Sequence, residues 1–181
     1  MAIFFFIISW TGLYIVLTML PLYLSLELNL DISLVGIAMS ISFISFIIGS
    51  VISGPILDRI SRRVSLTISI IILSIIILLI SLIQDFSTAL FFIILAGLSW
   101  GIFNIAIMML AMDLCKKSIS STTYSIYASI INLGNTIGVI FGAILVVIYG
   151  FRLTFIFAGL IVLSTLIFVF FMKGTEMLFK E

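Results

Sequence analysis

Gly54-Pro55-Ile56-Leu57-Asp58-Arg59-Ile60-Ser61-Arg62-Arg63 holds three of the four arginines of an otherwise oily chain, and it lies between two apolar runs. Ahead of it, residues 33–53 contain no charge, and behind it residues 64–83 carry fifteen Val, Ile and Leu side chains. At roughly 0.3–0.6 kcal/mol each, those fifteen favour insertion into a bilayer by about 5–9 kcal/mol. The decad therefore reads as a loop between two membrane-spanning helices. The Ser and Thr residues of the second run can return a hydrogen bond to their own helix carbonyls, which makes them tolerable in lipid.

The same pattern repeats in both directions. A spanning helix needs about 20 apolar residues at 1.5 Å each to cross a core about 30 Å thick. Six segments meet that length: about 2–25, 33–53, 64–83, 88–112, 122–149 and 153–172. Every Asp, Glu, Lys and Arg falls between these segments or near their ends, as the cost of roughly 2.5–3.5 kcal/mol for a mid-span charge requires. Turn-forming residues occupy the gaps and tail: Asn29 and Asp31, Gly54-Pro55, Gln84-Asp85, Gly150 and Lys173-Gly174. The expected class is an all-α membrane protein, a single transmembrane domain over residues 1–181 with six helices. The first span begins without a basic leader and is too long for a cleaved signal core, so it reads as a retained helix.

Six crossings place both termini on one side. That side collects Arg59, Arg62, Arg63, Lys116, Lys117, Lys173 and Lys180, against Arg152 alone on the other. Seven against one identifies the arginine side, and both termini, as cytoplasmic. The expected location is the cytoplasmic (plasma) membrane, with the lipid bilayer as the first partner.

Composition excludes several function classes. Of 181 residues, 64% are hydrophobic and 8% are charged, and the net charge is +1. A soluble domain carries about 25% charged residues. Nucleic acid is excluded as a partner because phosphate binding needs an extended basic face. There is no histidine and only one cysteine, Cys115. Imidazole-based catalysis, an internal disulfide and a Cys/His metal site are all ruled out. With no paired acids inside the helices either, the chain is not expected to be an enzyme, and no cofactor or metal is implied.

Gly54, Asp58, Arg59, Arg62 and Arg63 resemble the signature G-x-x-x-D-[RK]-x-G-[RK]-[RK] of the major facilitator superfamily, which lies in the cytoplasmic loop between helices 2 and 3 of a six-helix half. Ser61 stands where the signature has its second glycine. Gly54 has no side chain to keep another helix away. Asp58 can accept charge-assisted bonds from an arginine or from helix N–H groups. Asp113, at the cytoplasmic end of the fourth span, is a candidate partner for Arg59 or Arg62. In the family this loop clamps the two halves together in one access state, so the resemblance implies a conformational gate at Gly54, Asp58, Arg59, Arg62, Arg63 and Asp113.

Two sets of small and polar residues follow. Gly134, Gly138 and Gly142, with Gly97 and Gly101, recur every four residues, a spacing that lets helices pack backbone to backbone. The family's fifth and eleventh helices often carry such ladders; its antiporter version has a proline there, and this chain has none. Gly150-Phe151-Arg152 is similar to the family's short external turn before its sixth or twelfth helix. A solute path needs polar groups facing a cavity. The candidates are Thr11, Tyr14 and Thr18 on one face of the first span, Trp100 and Asn104 on the fourth, and Asn132 and Asn135 on the fifth. The alternative for each is a hydrogen bond to a neighbouring helix, as packing glue.

The resemblance implies half of a transporter, built as a 3+3 inverted repeat, which moves a small solute by alternating access against a second six-helix unit, either another copy or a separate half. The early start of the first span and the short tail resemble a C-terminal half more than an N-terminal one. The alternative is a non-transporting remnant or assembly protein that keeps the fold.

Overall fold

The computed structural model describes residues 2–113 and 120–171, with side chains omitted at Ala2 and at 120–124. The described residues form α1 (Ala2–Leu26), α2 (Ile32–Leu57), α3 (Arg62–Ile80), α4 (Phe86–Asp113), α5 (Ser120–Ser164) and α6 (Leu166–Phe171). Among them, five helices are long and apolar enough to cross a membrane, the last running over Ser125–Phe171. Lys116, Lys117, Lys173 and Lys180, which weigh in the side assignment, lie outside the described residues, as does Cys115.

The 45 residues of α5 would make a straight rod of about 67 Å, twice the hydrocarbon thickness. Gly150 prevents that, with φ 79° and ψ 171°, a region that only glycine occupies without strain. Contacts with α1 show the result. Gly134 packs against Ile7 and Trp10, and Gly138 against Thr11 and Tyr14, so residues 120–149 run parallel to α1. Beyond the bend the order reverses: Phe151 and Phe155 touch Tyr23, while Val162 reaches back to Gly12. The chain turns round at Gly150.

Boundaries shift where backbone bonding outweighs residue type. The expected turn at Gly54-Pro55 is helical, because a proline in the last turn costs one hydrogen bond and the chain still closes Asp58 N–H to Gly54 C=O at 3.1 Å. At the other side of the loop, α3 begins on the arginines, with Ser61 at its N-cap in an extended conformation (φ −61°, ψ 142°). No left-handed residue is used there, so serine serves where the signature has glycine.

Both ends of the bundle are tied by polar contacts. At the arginine end Arg62 bonds Asp113, and Arg63 sits over the Phe170 ring and donates to its carbonyl. At the far end the Tyr23 hydroxyl donates to Ile83 C=O at 2.7 Å, and Arg152 pairs with Glu27 at 3.4 Å. The connections thus alternate between two ends. Within the spans, hydroxyls of Thr67, Ser69 and Ser74 bond carbonyls three or four residues back on α3, and Thr18, Ser99 and Thr165 do the same on their own helices.

Asp85 starts α4: its carboxylate accepts from the Thr88 backbone N–H at 2.7 Å and from the Thr88 hydroxyl at 3.0 Å. These bonds hold its carboxyl below the usual carboxylate range. A depressed folded value means stability that is present above the unfolded pKa of about 3.9 and is lost as pH falls through the folded one. Asp85→Ala is therefore expected to melt below wild type at pH 7 in detergent. That gap should shrink steadily below about pH 4, and a gap independent of pH would mean the carboxylate is not the cap.

Candidate functional site

The structure sorts the candidate residues into an end cluster, two glycine seams and a set of mid-span polar groups. At the arginine end, Arg62 Nε donates to Asp113 Oδ2 at 2.8 Å, its Nη1 lies 3.2 Å from Met109 Sδ, and Asp58 is looser at 3.7 Å. The guanidinium thus ties the α2–α3 loop to the last turn of α4, about a third exposed on both partners. Of the two arginines expected to meet Asp113, Arg62 does so; no partner is recorded for Arg59 among the described residues. Gly54 faces open space: a Cβ added there would meet nothing within 4 Å. Among the described residues, no helix packs against it.

Gly97 and Gly101 bring α4 against α2. A Cβ on Gly97 would lie 2.4 Å from Ser42 O, and one on Gly101 would lie 2.4 Å from Phe46 O. On the facing side α2 presents a small-residue stripe, Ser42, Ser45, Gly49 and Ser53, all buried. The sequence reading missed this stripe, although its 3-4-4 spacing carried the signal. Gly134 and Gly138 make the equivalent contact with α1, a Cβ on each lying 2.8 Å from Ile7 O and 2.7 Å from Thr11 O, whereas one on Gly142 would meet first the flexible Met19 side chain at 3.3 Å and Ile15 Cα at an ordinary 3.5 Å. Both seams join parallel helices, because contact positions rise together along each pair.

The mid-span polar groups divide. Thr11 is buried and its hydroxyl donates to Gly134 C=O at 3.1 Å, so it binds two helices together. Thr18 bonds Tyr14 C=O of its own helix. Tyr14, Thr18, Trp100 and Asn104 are half-buried. Trp100 stacks on Phe46 of α2 at 4.3 Å between ring centroids, and its indole N–H has no partner. Asn132 is exposed and Asn135 half-buried. Asn135 Nδ2 donates to Asn132 Oδ1 at 3.4 Å, while Asn135 Oδ1 is buried without a partner. An unpaired buried carbonyl costs about 1–3 kcal/mol.

Large apolar side chains remain uncovered on α2 (Phe43, Ile47, Val51) and on the first part of α5 (Leu133, Ile140, Phe141). Only 22% of α2's spanning window is buried, against 61% for α1. Helices 2 and 5 are thus the outward walls of the bundle, and α1 its interior.

Comparison with known proteins agrees with this architecture. A family profile for the Major Facilitator Superfamily matches residues 2–177. Among solved structures, the fold is similar to a bacterial homolog of the human lysosomal transporter Spinster, in an inward-facing and occupied conformation, with a TM-score of 0.69 at 13% identity. That match covers 95% of this chain and 43% of the transporter, so the chain spans less than half the length of the structure it resembles. None of the curated proteins matches. With a profile match over nearly its whole length, on a helical bundle of the corresponding fold, the chain belongs to the Major Facilitator Superfamily.

Proposed function

We propose that this chain is one six-helix wall of a secondary transporter in the cytoplasmic membrane, moving a small solute by alternating access against a second six-helix unit. One observation carries the reading: nearly the whole chain superposes on less than half of a transporter fold. The bend at Gly150 and the alternation of connections between two ends support six crossings. The two parallel seams support a 3+3 inverted repeat, since exchanging helices 1 with 4 and 2 with 5 turns the α1–α5 pair into the α4–α2 pair. The uncovered faces of α2 and α5 suit contact with the second unit.

In this reading the Arg62–Asp113 pair, with Asp58 and Arg63 beside it, holds the cytoplasmic loop rigid. Gly54, against which no described helix packs, and Arg59, for whose side chain no partner is found among the described residues, face the other unit and make or break the gate. Mid-membrane polar groups on α1, α4 and α5 supply one side of the path.

Pairing tests the proposal directly. Native mass spectrometry of the chain released from nanodiscs, prepared with and without co-expressed membrane proteins, is expected to show a complex of two six-helix units. A monomer under every condition would sink the two-wall reading and leave a non-transporting protein with the transporter fold.

A further inference from the structure

A helix in the membrane turns apolar side chains outward, and the middle of α2 obeys this, with Phe43, Ile44, Ile47, Ile48, Val51 and Ile52 all exposed. Its serines at that level face inward: Ser42, Ser45 and Ser53 are buried, and so is the Ser50 hydroxyl. The first part of α5 differs. Ser129, Asn132 and Thr136 are exposed there, and their spacing of three and four puts them on one helical face. The Ser129 and Thr136 hydroxyls return to carbonyls of their own helix at 3.0 Å. Asn132 is not satisfied in that way.

The Asn132 Oδ1 accepts from Asn135 Nδ2 at 3.4 Å, and no acceptor for its own Nδ2 is found among the described residues. Asn132 lies before the midpoint of residues 120–149 by roughly 4 Å at 1.5 Å per residue. That depth is near the bilayer midplane, where lipid offers no hydrogen bond and an open amide is most costly. On α2, which runs the opposite way, Ile47 lies past the midpoint of Ile32–Leu57 by the same distance. Asn132 and Ile47 are therefore at one depth.

The halves of this fold are parallel repeats about an axis normal to the membrane, and a second copy placed there obeys a two-fold, which keeps every residue at its own depth. The first part of α5 packs on α1, and α2 packs on α4, so the uncovered helices stand on separate flanks. A two-fold copy covers both only by laying each α2 on the other's α5. Asn132 would then face Ile44, Ile47 and Val51, with no acceptor in reach. We propose that the unit covering α5 is instead a six-helix half of different sequence, whose helix opposite Asn132 carries an amide or hydroxyl near the bilayer midplane. This rests on the two-wall reading and names the chemistry of the second unit. An amide there would accept from Asn132 Nδ2 and donate to the free lone pair of its Oδ1. Bonds of this kind between helices are the polar glue of membrane bundles.

The test uses the full chain alone in lipid vesicles, with donor- and acceptor-labelled copies and energy transfer between them as the measure of self-association. Asn132→Leu is expected to strengthen self-association several-fold, because an aliphatic side chain then meets the aliphatic face of α2. Thr136→Val, whose hydroxyl is already bonded within its own helix, should leave it unchanged. Ile47→Asn supplies the missing group at the right depth and should strengthen it too, and adding Asn132→Leu to that variant should reverse the gain. Each substitution replaces an exposed side chain, and circular dichroism checks that each variant folds. A wild-type dimer that Asn132→Leu weakens or leaves unchanged would overturn the proposal, make a second copy the other wall and keep the two-wall reading. A monomer that neither Asn132→Leu nor Ile47→Asn brings together would also overturn it, since the amide would then face water rather than a helix. Native mass spectra that in addition show no pairing with any co-expressed protein would remove the two-wall reading itself.

Discussion

Gly101→Ala is expected to destabilise the bundle by roughly 2–3 kcal/mol, the upper range for overpacking a tight contact, whereas Gly36→Ala should be neutral or slightly stabilising. The two glycines lie in neighbouring membrane helices and differ in what a methyl group would meet. At Gly101 it would lie 2.4 Å from Phe46 O, 2.6 Å from Ser50 N and 2.9 Å from Gly49 C, all backbone atoms of α2. Backbone cannot rotate aside as a side chain can, so α2 and α4 must separate. Separation forfeits dispersion contacts along the whole seam, and in lipid those contacts supply most of the attraction between helices. Around Gly36 there is nothing within 4 Å, so alanine adds only helix propensity, about 0.5–1 kcal/mol. Unfolding in mixed micelles by SDS titration, followed by circular dichroism, measures both. Equal midpoints for the two variants would show that the seam is not closely packed.

Reversing charge at Asp113 is the second large effect expected. Asp113→Lys places an ammonium against the Arg62 guanidinium, which loses its 2.8 Å bond and faces a like charge. The pair is about one-third exposed on each side, so solvent screens it and the coupling should be about 1 kcal/mol rather than the larger value of a buried pair. Its functional weight is expected to exceed its stability weight, because this bond orients the whole α2–α3 loop against α4. Under the proposed transport function, solute flux in vesicles should fall roughly tenfold, equivalent to about 1.4 kcal/mol. The swapped pair Arg62→Asp with Asp113→Arg should recover part of it. Arg59→Ala should leave stability within about 0.5 kcal/mol of wild type, as for a surface change away from such features. A double-mutant cycle with no coupling between positions 62 and 113, or equal coupling at 59 and 113, would reject the assignment.

These effects differ in how far they could be read from residues alone. The glycines at 97, 101, 134 and 138 announce close packing by their spacing, and each proves to lie at a backbone contact. Gly142, on the same ladder, meets chiefly the Met19 side chain, and Gly54, in the signature itself, meets nothing among the described residues. A four-residue repeat defines a face without saying what opposes it. Thr11 shows the same limit: its place on the polar face of the first span suited a solute path, yet its hydroxyl is committed to Gly134.

The all-helical class, the apolar segments of membrane length and the membrane setting were determined by the sequence itself. They depend on hydrophobicity summed over about 20 consecutive residues, and such a sum is insensitive to the neighbours of any one side chain. The choice of Arg62 over Arg59 for Asp113, the packing of residues 151–164 against α1 beyond the turn at Gly150, the serine stripe of α2 and the stranded polar atoms of Trp10 and Asn135 were decided only by the tertiary structure. Each depends on which helix lies beside which, at a separation of a few ångströms. Lipid and protein interior are almost equally apolar, so a hydrophobic pattern that marks segments for the bilayer carries little information about how they turn toward one another.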